Sequence, residues 1–260
     1  MVFLRSLLFN AFFYVHTTVM LIVMLPTTAM SKDALMACVR SWARVNRWAI
    51  TALAGVKVDI RGLENLPKGG VIVACKHQST FETAATLDFF SDPTFVLKKE
   101  LLSIPLFGWY AKKAEQIPVD RAAGRLALAQ MTDRARMEVG RGRQIIIYPE
   151  GTRRPAGAEP HYKHGVANLY GQLDVPLVPV ALNSGLFWPR HGFFRPPGTI
   201  VVEFLPPIPP GLDAEVAFVT MRDAIETASD RLIAEALAAP NPPVLPKGGE
   251  AWWARAGKVG

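Results

Sequence analysis

Two residues, His77 and Glu82, have the side-chain types needed for general base catalysis. They lie in the sequence KHQSTFE, directly after an apolar run that ends at Cys75. On one ideal α-helix, residues at this spacing are rotated by about 500° and do not share a face. If His77 lies in a turn and Glu82 in the first helical turn, the carboxylate can accept a proton from one imidazole nitrogen. The other nitrogen is then free to act as a base.

The same stretch permits two other interpretations. Residues 79–82 form the pattern S-x-x-E of a capping box, in which Glu82 would only stabilise the start of a helix. Alternatively, Ser79 could be a nucleophile beside His77, as in a serine-type lipid hydrolase, although the G-x-S-x-G context is missing. A histidine taken alone favours a structural role, so further signals are needed.

Two basic turns supply those signals. Residues 148–154 (YPEGTRR) follow the apolar strand RQIIIY, and in residues 117–121 (IPVDR) Arg121 comes just after a short strand and just before a helix. A turn that combines glycine, a hydroxyl and guanidinium groups can bind a phosphate bidentately. The sequence contains no zinc-ligand spacing and no nucleotide-binding glycine loop, so we predict neither a metal nor a bound cofactor.

Alternating segments must position these groups. Apolar runs predict strands at 56–61, 70–75, 94–97, 143–148, 176–182 and 199–205. Helical patterns occupy 79–90, parts of 100–114, 121–139 and 213–238. This alternation predicts an α/β fold with a mostly parallel sheet covered by helices. His77 and the basic turns all follow predicted strands, where α/β sheets place their sites.

The N-terminus predicts membrane attachment through a pair of helices. Residues 7–25 are almost continuously apolar and would form a helix about 28 Å long, close to the thickness of a bilayer core. A cleaved signal peptide is the alternative, but the run is long and no A-x-A-like site follows. Basic residues after this run predict a catalytic part on the cytoplasmic side of the inner membrane.

The second predicted helix, residues 32–55, is amphipathic and carries Arg40, Arg44 and Arg47 on one face. This basic face could contact lipid headgroups, or the helix could pack on the catalytic part and leave its arginines in solvent. We therefore divide the chain into membrane-anchoring helices (1–55), a catalytic domain (56–239) and a Pro/Gly-rich, loosely ordered tail (240–260).

The composition restricts the partners. The chain has 260 residues, a formal net charge of +7 and a mean hydropathy of +0.18. A basic protein can bind nucleic acid, anionic lipid or phosphorylated substrates. A basic membrane adaptor without catalysis is a further alternative, but the clustering of His77, Glu82 and the two basic turns at strand ends argues against it.

Together, the polar segments resemble the glycerolipid acyltransferase family, typified by 1-acylglycerol-3-phosphate acyltransferase. Four blocks correspond in order and spacing. The H-x4-D block is similar to His77 and Glu82, with Glu in place of the usual Asp. The second block is similar to 117–121, the E-G-T-R block is present unaltered at 150–153, and the fourth is similar to 175–180 (VPLVPV).

The resemblance implies transfer of a fatty acyl group to the sn-2 hydroxyl of lysophosphatidic acid, or to another lysolipid such as lyso-ornithine lipid. The implied donor is acyl-CoA or acyl-carrier protein, used as a co-substrate. Membrane lipids are the implied surroundings, and no nucleic acid is involved. His77 and Glu82 are then catalytic. The residues implied in substrate binding are Arg121, Glu150, Gly151, Thr152 and Arg153.

Overall fold

The protein is described by a computed structural model that covers residues 1–256. Its strands are β1 (Val56–Arg61), β2 (Val71–Cys75), β3 (Pro93–Lys98), β4 (Ile117–Val119), β5 (Gln144–Ile147), β6 (Leu177–Leu182) and β7 (Gly198–Phe204). Its helices are α1 (Val2–Val23), α2 (Lys32–Ala49), α3 (Phe81–Ala84), α4 (Phe107–Lys113), α5 (Gly124–Gly140), α6 (Gly165–Leu173), α7 (Ala214–Leu237) and α8 (Ala251–Ala256).

Within residues 1–256 the strands form one sheet in the order β1-β7-β6-β2-β5-β3-β4. Every neighbouring pair is parallel except β6 and β7, which are antiparallel. The predicted α/β class with a mostly parallel sheet is therefore confirmed. The strands of its centre are buried along their whole length, which is why they are readable as apolar runs in the sequence.

Alternate residues of the central strands pack against different helices. Val71 and Val73 of β2 share a core cluster with Phe9 of α1 and Ala49 of α2. The intervening residues of β2 belong to a second cluster, together with apolar side chains of α5, α6 and α7. The N-terminal helices therefore cover one face of the sheet and are part of the same folded body.

Helix α1 and the residues just after it contact the α/β part of the fold in two places. Close to its start, the Ser6 hydroxyl accepts the backbone N–H of Arg195 at 2.8 Å. Beyond its other end, Lys113 donates to the carbonyl of Thr28 at 3.1 Å. Among the described residues, Val2–Ala29 is the one helical stretch that is long and apolar enough to cross a membrane, with a mean hydropathy of 1.8.

The arginine face of α2 differs from both sequence-based interpretations. Arg47 forms a bidentate ion pair with Asp88, with N–O distances of 2.5 and 2.7 Å, and Arg40 donates to the carbonyl of Ser91. Two of the three arginines thus hold α2 against the segment that follows β2, and only Arg44 is left exposed. The carboxylate and carbonyls that bind them lie after β2 in sequence, so the pattern of α2 alone could not reveal them.

Two other predictions of local structure were wrong. The helix predicted over 79–90 is reduced to the four residues of α3 and a 3₁₀ turn at Leu87–Phe89. The Thr83 and Thr86 hydroxyls donate to backbone carbonyls in this stretch, and such bonds compete with helix continuation. The tail predicted to be loose, residues 240–260, contains α8, whose Trp252 is buried and whose Arg255 pairs with Asp230; residues 257–260 lie outside the described part of the chain.

Candidate active site

His77 lies in the turn that follows β2, with its ring held on two sides. Its Nδ1 is 3.0 Å from Oε1 of Glu82, and its ring stacks on Tyr148 with 4.1 Å between ring centroids. A proton on Nδ1 shared with the carboxylate leaves Nε2 as the free, basic nitrogen. The imidazole lines a large cavity, so this arrangement can remove a proton from a group bound there.

The Glu82 carboxylate is almost fully buried and has several donors. Besides His77, its Oε1 accepts the backbone N–H groups of Gln78 and Ser79 at 2.5 and 2.6 Å. Its Oε2 accepts the hydroxyl of Ser184 at 2.9 Å. The capping and the histidine-orienting interpretations are therefore both compatible with this geometry. Ser184 follows β6 and was missed by the sequence analysis, because nothing in its local pattern marks it.

Ser79 is unsuited to be a nucleophile. Its side chain is fully buried, its Oγ accepts the backbone N–H of Phe81 at 3.0 Å, and it does not line the cavity. A serine hydrolase requires the hydroxyl to face the substrate, so the geometry disfavours that alternative.

Glu150 of the E-G-T-R block joins the turn after β5 to the turn after β2. Its Oε2 accepts the backbone N–H of His77 at 3.0 Å, and its Oε1 lies 3.0 Å from the Lys76 ammonium. Burial raises the pKa of Glu150, while Lys76 and the His77 N–H act in the opposite direction. Glu150 does not line the cavity. It lies behind the cavity wall, where it supports the turn that carries His77.

The same lysine also binds a second carboxylate. Lys76 Nζ lies 2.5 Å from Oε1 of Glu226 on α7, and the Tyr162 hydroxyl donates to that oxygen at 2.6 Å. Burial raises the pKa of Tyr162, with Glu226 acting in the same direction, so the phenol remains a hydrogen-bond donor. We call Lys76, Glu150, Tyr162 and Glu226 the buried ionic network. Apart from Glu150, its members were not predicted to belong to the site.

The E-G-T-R turn lies against the histidine turn. The backbone N–H of Arg154 donates to the carbonyl of His77 at 2.8 Å, and Arg153 Nη1 donates to the Thr80 hydroxyl at 2.7 Å. Gly151 has a φ of +69°, and a Cβ there would lie 3.2 Å from the Lys163 side chain. Glycine therefore suits both the conformation and the close approach. Thr152 accepts a long bond from exposed Arg190 and does not line the cavity.

Four of the predicted site residues, His77, Arg121, Gly151 and Arg153, line one cavity of about 840 Å³. The exposed Lys163 also lines it, and the sequence analysis missed this cation. Most of the remaining lining is apolar, and both N-terminal helices, β3, α4 and α5 contribute to it. Examples are Met20, Leu35, Val39, Tyr110, Ala127 and Met131. The cavity thus combines a base, several cations and a hydrocarbon-like interior.

Comparisons with known proteins agree with this site. The sequence model of the acyltransferase family matches residues 57–183, which include His77, Glu82, Arg121 and the whole E-G-T-R turn. A 1-acyl-sn-glycerol-3-phosphate acyltransferase of Pseudomonas aeruginosa is 38% identical over 164 residues. Residues 57–183 belong to the acyltransferase family. The recognition made from the four sequence blocks is therefore confirmed.

The alignments leave part of each relative uncovered. The Pseudomonas alignment includes 63% of this chain and 64% of the relative. A 1-acyl-sn-glycerol-3-phosphate acyltransferase of Limnanthes alba is 32% identical, with 60% of this chain and 56% of the relative aligned. The chain thus spans less than two thirds of the curated relatives it matches.

The fold extends beyond the sequence match. The crystal structure of the 1-acyl-sn-glycerophosphate acyltransferase PlsC from Thermotoga maritima superimposes with a TM-score of 0.75. The two chains are 23% identical, and the match covers 90% of this chain and 98% of the other. The chain described here therefore shares its α/β architecture with that enzyme.

Proposed function

We propose that this protein transfers a fatty acyl group from an acyl thioester to the sn-2 hydroxyl of lysophosphatidic acid, giving phosphatidic acid. One observation carries the proposal: a carboxylate-supported imidazole, two arginines of the family blocks and an apolar channel meet in a single cavity. Relatives from Pseudomonas aeruginosa and Limnanthes alba carry the name of this activity, which supports the choice of acceptor.

In this mechanism His77 is the general base. Nε2 removes the proton of the acceptor hydroxyl as the oxygen attacks the thioester carbonyl. Collapse of the tetrahedral intermediate forms the ester and expels the thiolate, which takes the proton from the imidazolium. Glu82 stabilises that imidazolium through Nδ1. A positioned base contributes about 10²–10⁴-fold to the rate, and no acyl-enzyme is required because the thioester is already activated.

The cations of the cavity are proposed to bind the acceptor phosphate. Arg153 is oriented by its bond to Thr80, and Lys163 lies directly over Gly151. Arg121 approaches the same cavity from the turn after β4. A guanidinium can bind a phosphate through two parallel hydrogen bonds, which fixes its orientation as well as its position.

The apolar part of the cavity is proposed to hold an acyl chain. Its lining includes side chains of α1 and α2, the elements proposed to enter the lipid. Since Ser6 near the start of α1 contacts Arg195 and Leu21 near its end contacts Tyr110, we propose that the helix pair lies in one leaflet, on the cytoplasmic side of the inner membrane. A lipid substrate then reaches the base without exposing its acyl chain to water. That exposure would cost about 0.8 kcal/mol per CH₂.

The decisive experiment is an assay of the purified full-length chain with lysophosphatidic acid and either palmitoyl-CoA or palmitoyl-carrier protein. We expect phosphatidic acid by mass spectrometry with one or both donors, formed about 10²–10⁴-fold more slowly by the His77→Ala variant. Parallel reactions with lyso-ornithine lipid test the alternative acceptor. Acylation of lyso-ornithine lipid in preference to lysophosphatidic acid would refute the proposed substrate, and the absence of any acyl transfer would refute the reaction.

A further inference from the structure

An exposed apolar patch surrounds the start of α4 on the catalytic domain. The side chains of Leu101, Ile104, Phe107 and Trp109 are 36%, 46%, 37% and 58% exposed. We call these residues the 101–109 patch. A group of exposed apolar side chains so close together indicates a surface that contacts a membrane or another molecule.

The backbone holds these side chains outward. Gly108 packs so closely on Leu102 that an added Cβ would lie 2.0 Å from its carbonyl oxygen. Leu106 has a φ of +63°, a backbone conformation that residues other than glycine rarely adopt. Tyr110, next to Trp109, points inward and is buried. The close packing of Gly108 and the backbone conformation of Leu106 therefore keep the side chains of the patch at the surface.

The patch is fixed to the end of the apolar N-terminal helix. Tyr110 donates its hydroxyl to the carbonyl of Leu21 at 2.6 Å, and Lys113 donates to the carbonyls of Thr28 and Met30. The patch therefore lies beside the C-terminal end of α1, the stretch with membrane-like hydropathy. An apolar surface continuous with such a helix is positioned for the same lipid layer.

The surroundings of the patch fit an anionic lipid surface. Leu101 and Phe107 also line the cavity that contains His77, so the patch borders the route into the candidate active site. Lys98, Lys99 and Lys112 flank it and are exposed. Tryptophan among aliphatic side chains, with lysines at the margin, is the composition found at membrane interfaces.

We propose that the 101–109 patch inserts into the headgroup and upper acyl region of an anionic leaflet, as a second membrane contact besides α1. The catalytic domain is then held at two points, which fixes the cavity entrance at the level of the lipid chains. The flanking lysines contact anionic headgroups. This contact goes beyond the proposed reaction and does not depend on which lysolipid is acylated.

Fluorescence quenching tests the insertion directly. The full-length protein is mixed with vesicles of equimolar phosphatidylcholine and phosphatidylglycerol whose acyl chains carry bromine. Because Trp109 lies in lipid, we expect the Trp109→Phe variant to lose quenchable emission. Trp253 is 61% exposed in the C-terminal segment and is the matched control. The Trp253→Phe variant should lose only unquenched emission. Equal quenchable emission in Trp109→Phe and the parent protein would overturn the proposal.

A binding measurement provides the second test and uses no substrate, so its failure is separable from failure of the proposed reaction. Ile104 does not line the cavity, and Ile104→Glu should weaken partitioning into the same vesicles about tenfold. Val216 on α7 is 53% exposed, and Val216→Glu should leave partitioning unchanged. Unaltered partitioning of Ile104→Glu would overturn the proposal. So would lipid-free self-association that this variant abolishes, since the patch would then bind a second copy.

Discussion

Nδ1 of His77 lies 3.0 Å from Oε1 of Glu82, and the same oxygen binds the backbone N–H groups of Gln78 and Ser79. One buried carboxylate therefore fixes both the orientation of the imidazole and the shape of the turn that carries it. The two effects are separable by substitution, because the histidine needs a negative partner whereas the turn needs only an acceptor within reach.

Replacement of Glu82 tests this double role. We expect Glu82→Ala to lose most of its acyl-transfer activity and to lower the free energy of unfolding by about 3 kcal/mol, since several buried donors lose their acceptor. Glu82→Asp keeps the charge and should retain substantial activity. Steady-state kinetics and urea denaturation measure the two quantities. If Glu82→Ala is fully active but less stable, the carboxylate only caps the turn.

The site was predictable where its residues adjoin strand ends, and unpredictable where tertiary contacts complete it. His77 and the E-G-T-R turn follow apolar runs, so their local pattern marks them. Ser184 is 102 positions from Glu82, and Glu226 is 150 positions from Lys76. Serine, lysine and glutamate are common on protein surfaces, so their residue types alone indicate no role. Ser184 and Glu226 reach the site only because the turn after β6 and helix α7 lie beside the turn that follows β2.

Replacement of His77 tests the base assignment. His77→Ala should remain folded and bind vesicles, while kcat falls by about 10²–10⁴-fold because no other group removes the hydroxyl proton. His191 is an exposed histidine outside the cavity lining, so His191→Ala is the control and should keep parental activity. Near-normal turnover by His77→Ala would contradict the proposed mechanism.

Replacement of the cavity cations tests phosphate binding. Arg153→Ala and Lys163→Ala should each raise KM for lysophosphatidic acid about tenfold or more, since a charge-assisted hydrogen bond contributes about 1.5–3 kcal/mol. KM for the acyl donor should change little. Arg222 pairs with Asp223 on the solvent-facing side of α7, and Arg222→Ala is the control. An unchanged KM in both cavity variants would place the phosphate elsewhere.

The fold was more predictable than its surface contacts, for a physical reason. Strands buried on both faces appear in the sequence as apolar runs, and the fully buried strands β2, β5 and β6 lie close to their predicted ranges. The stretch at 79–90 has a helix-like pattern, but its threonine hydroxyls and Arg47 bind the carbonyls that a helix would use. The threonine bonds are local, whereas the contact from Arg47 depends on the packing of α2 and cannot be read from residues 79–90.

The buried ionic network predicts a change in pH dependence. Burial raises the pKa of Glu150, and Lys76 opposes this shift. In Lys76→Met the opposing charge is lost, so the pKa of Glu150 rises further and the carboxylate takes up its proton at higher pH. A protonated Glu150 is a weaker acceptor for the His77 N–H. When the pH is lowered, Lys76→Met should therefore begin to lose activity at a higher pH than the parent protein does.

The control for this shift keeps the charge. Lys76→Arg should restore the parental acid limb of the kcat/KM profile even if overall activity is reduced. Glu226→Gln, which removes the competing carboxylate, should move the limb toward lower pH, because Glu226 also raises the pKa of Glu150. A uniform loss of activity in all three variants, with the same pH profile, would mean that the network contributes only stability.

The apolar part of the cavity predicts control of acyl chain length by α2. Val39 lines the cavity, whereas Val45 on the same helix does not. Phenylalanine at position 39 fills space that a chain terminus would occupy, and overpacking a tight site costs about 1–3 kcal/mol. Val39→Phe should therefore shift the preferred donor to shorter chains in competition assays with mixed acyl thioesters. Val45→Phe should keep the parental preference. Equal chain-length profiles in both variants would mean that the acyl chain does not reach α2, and the lipid would then have to lie on the α5 side of the cavity.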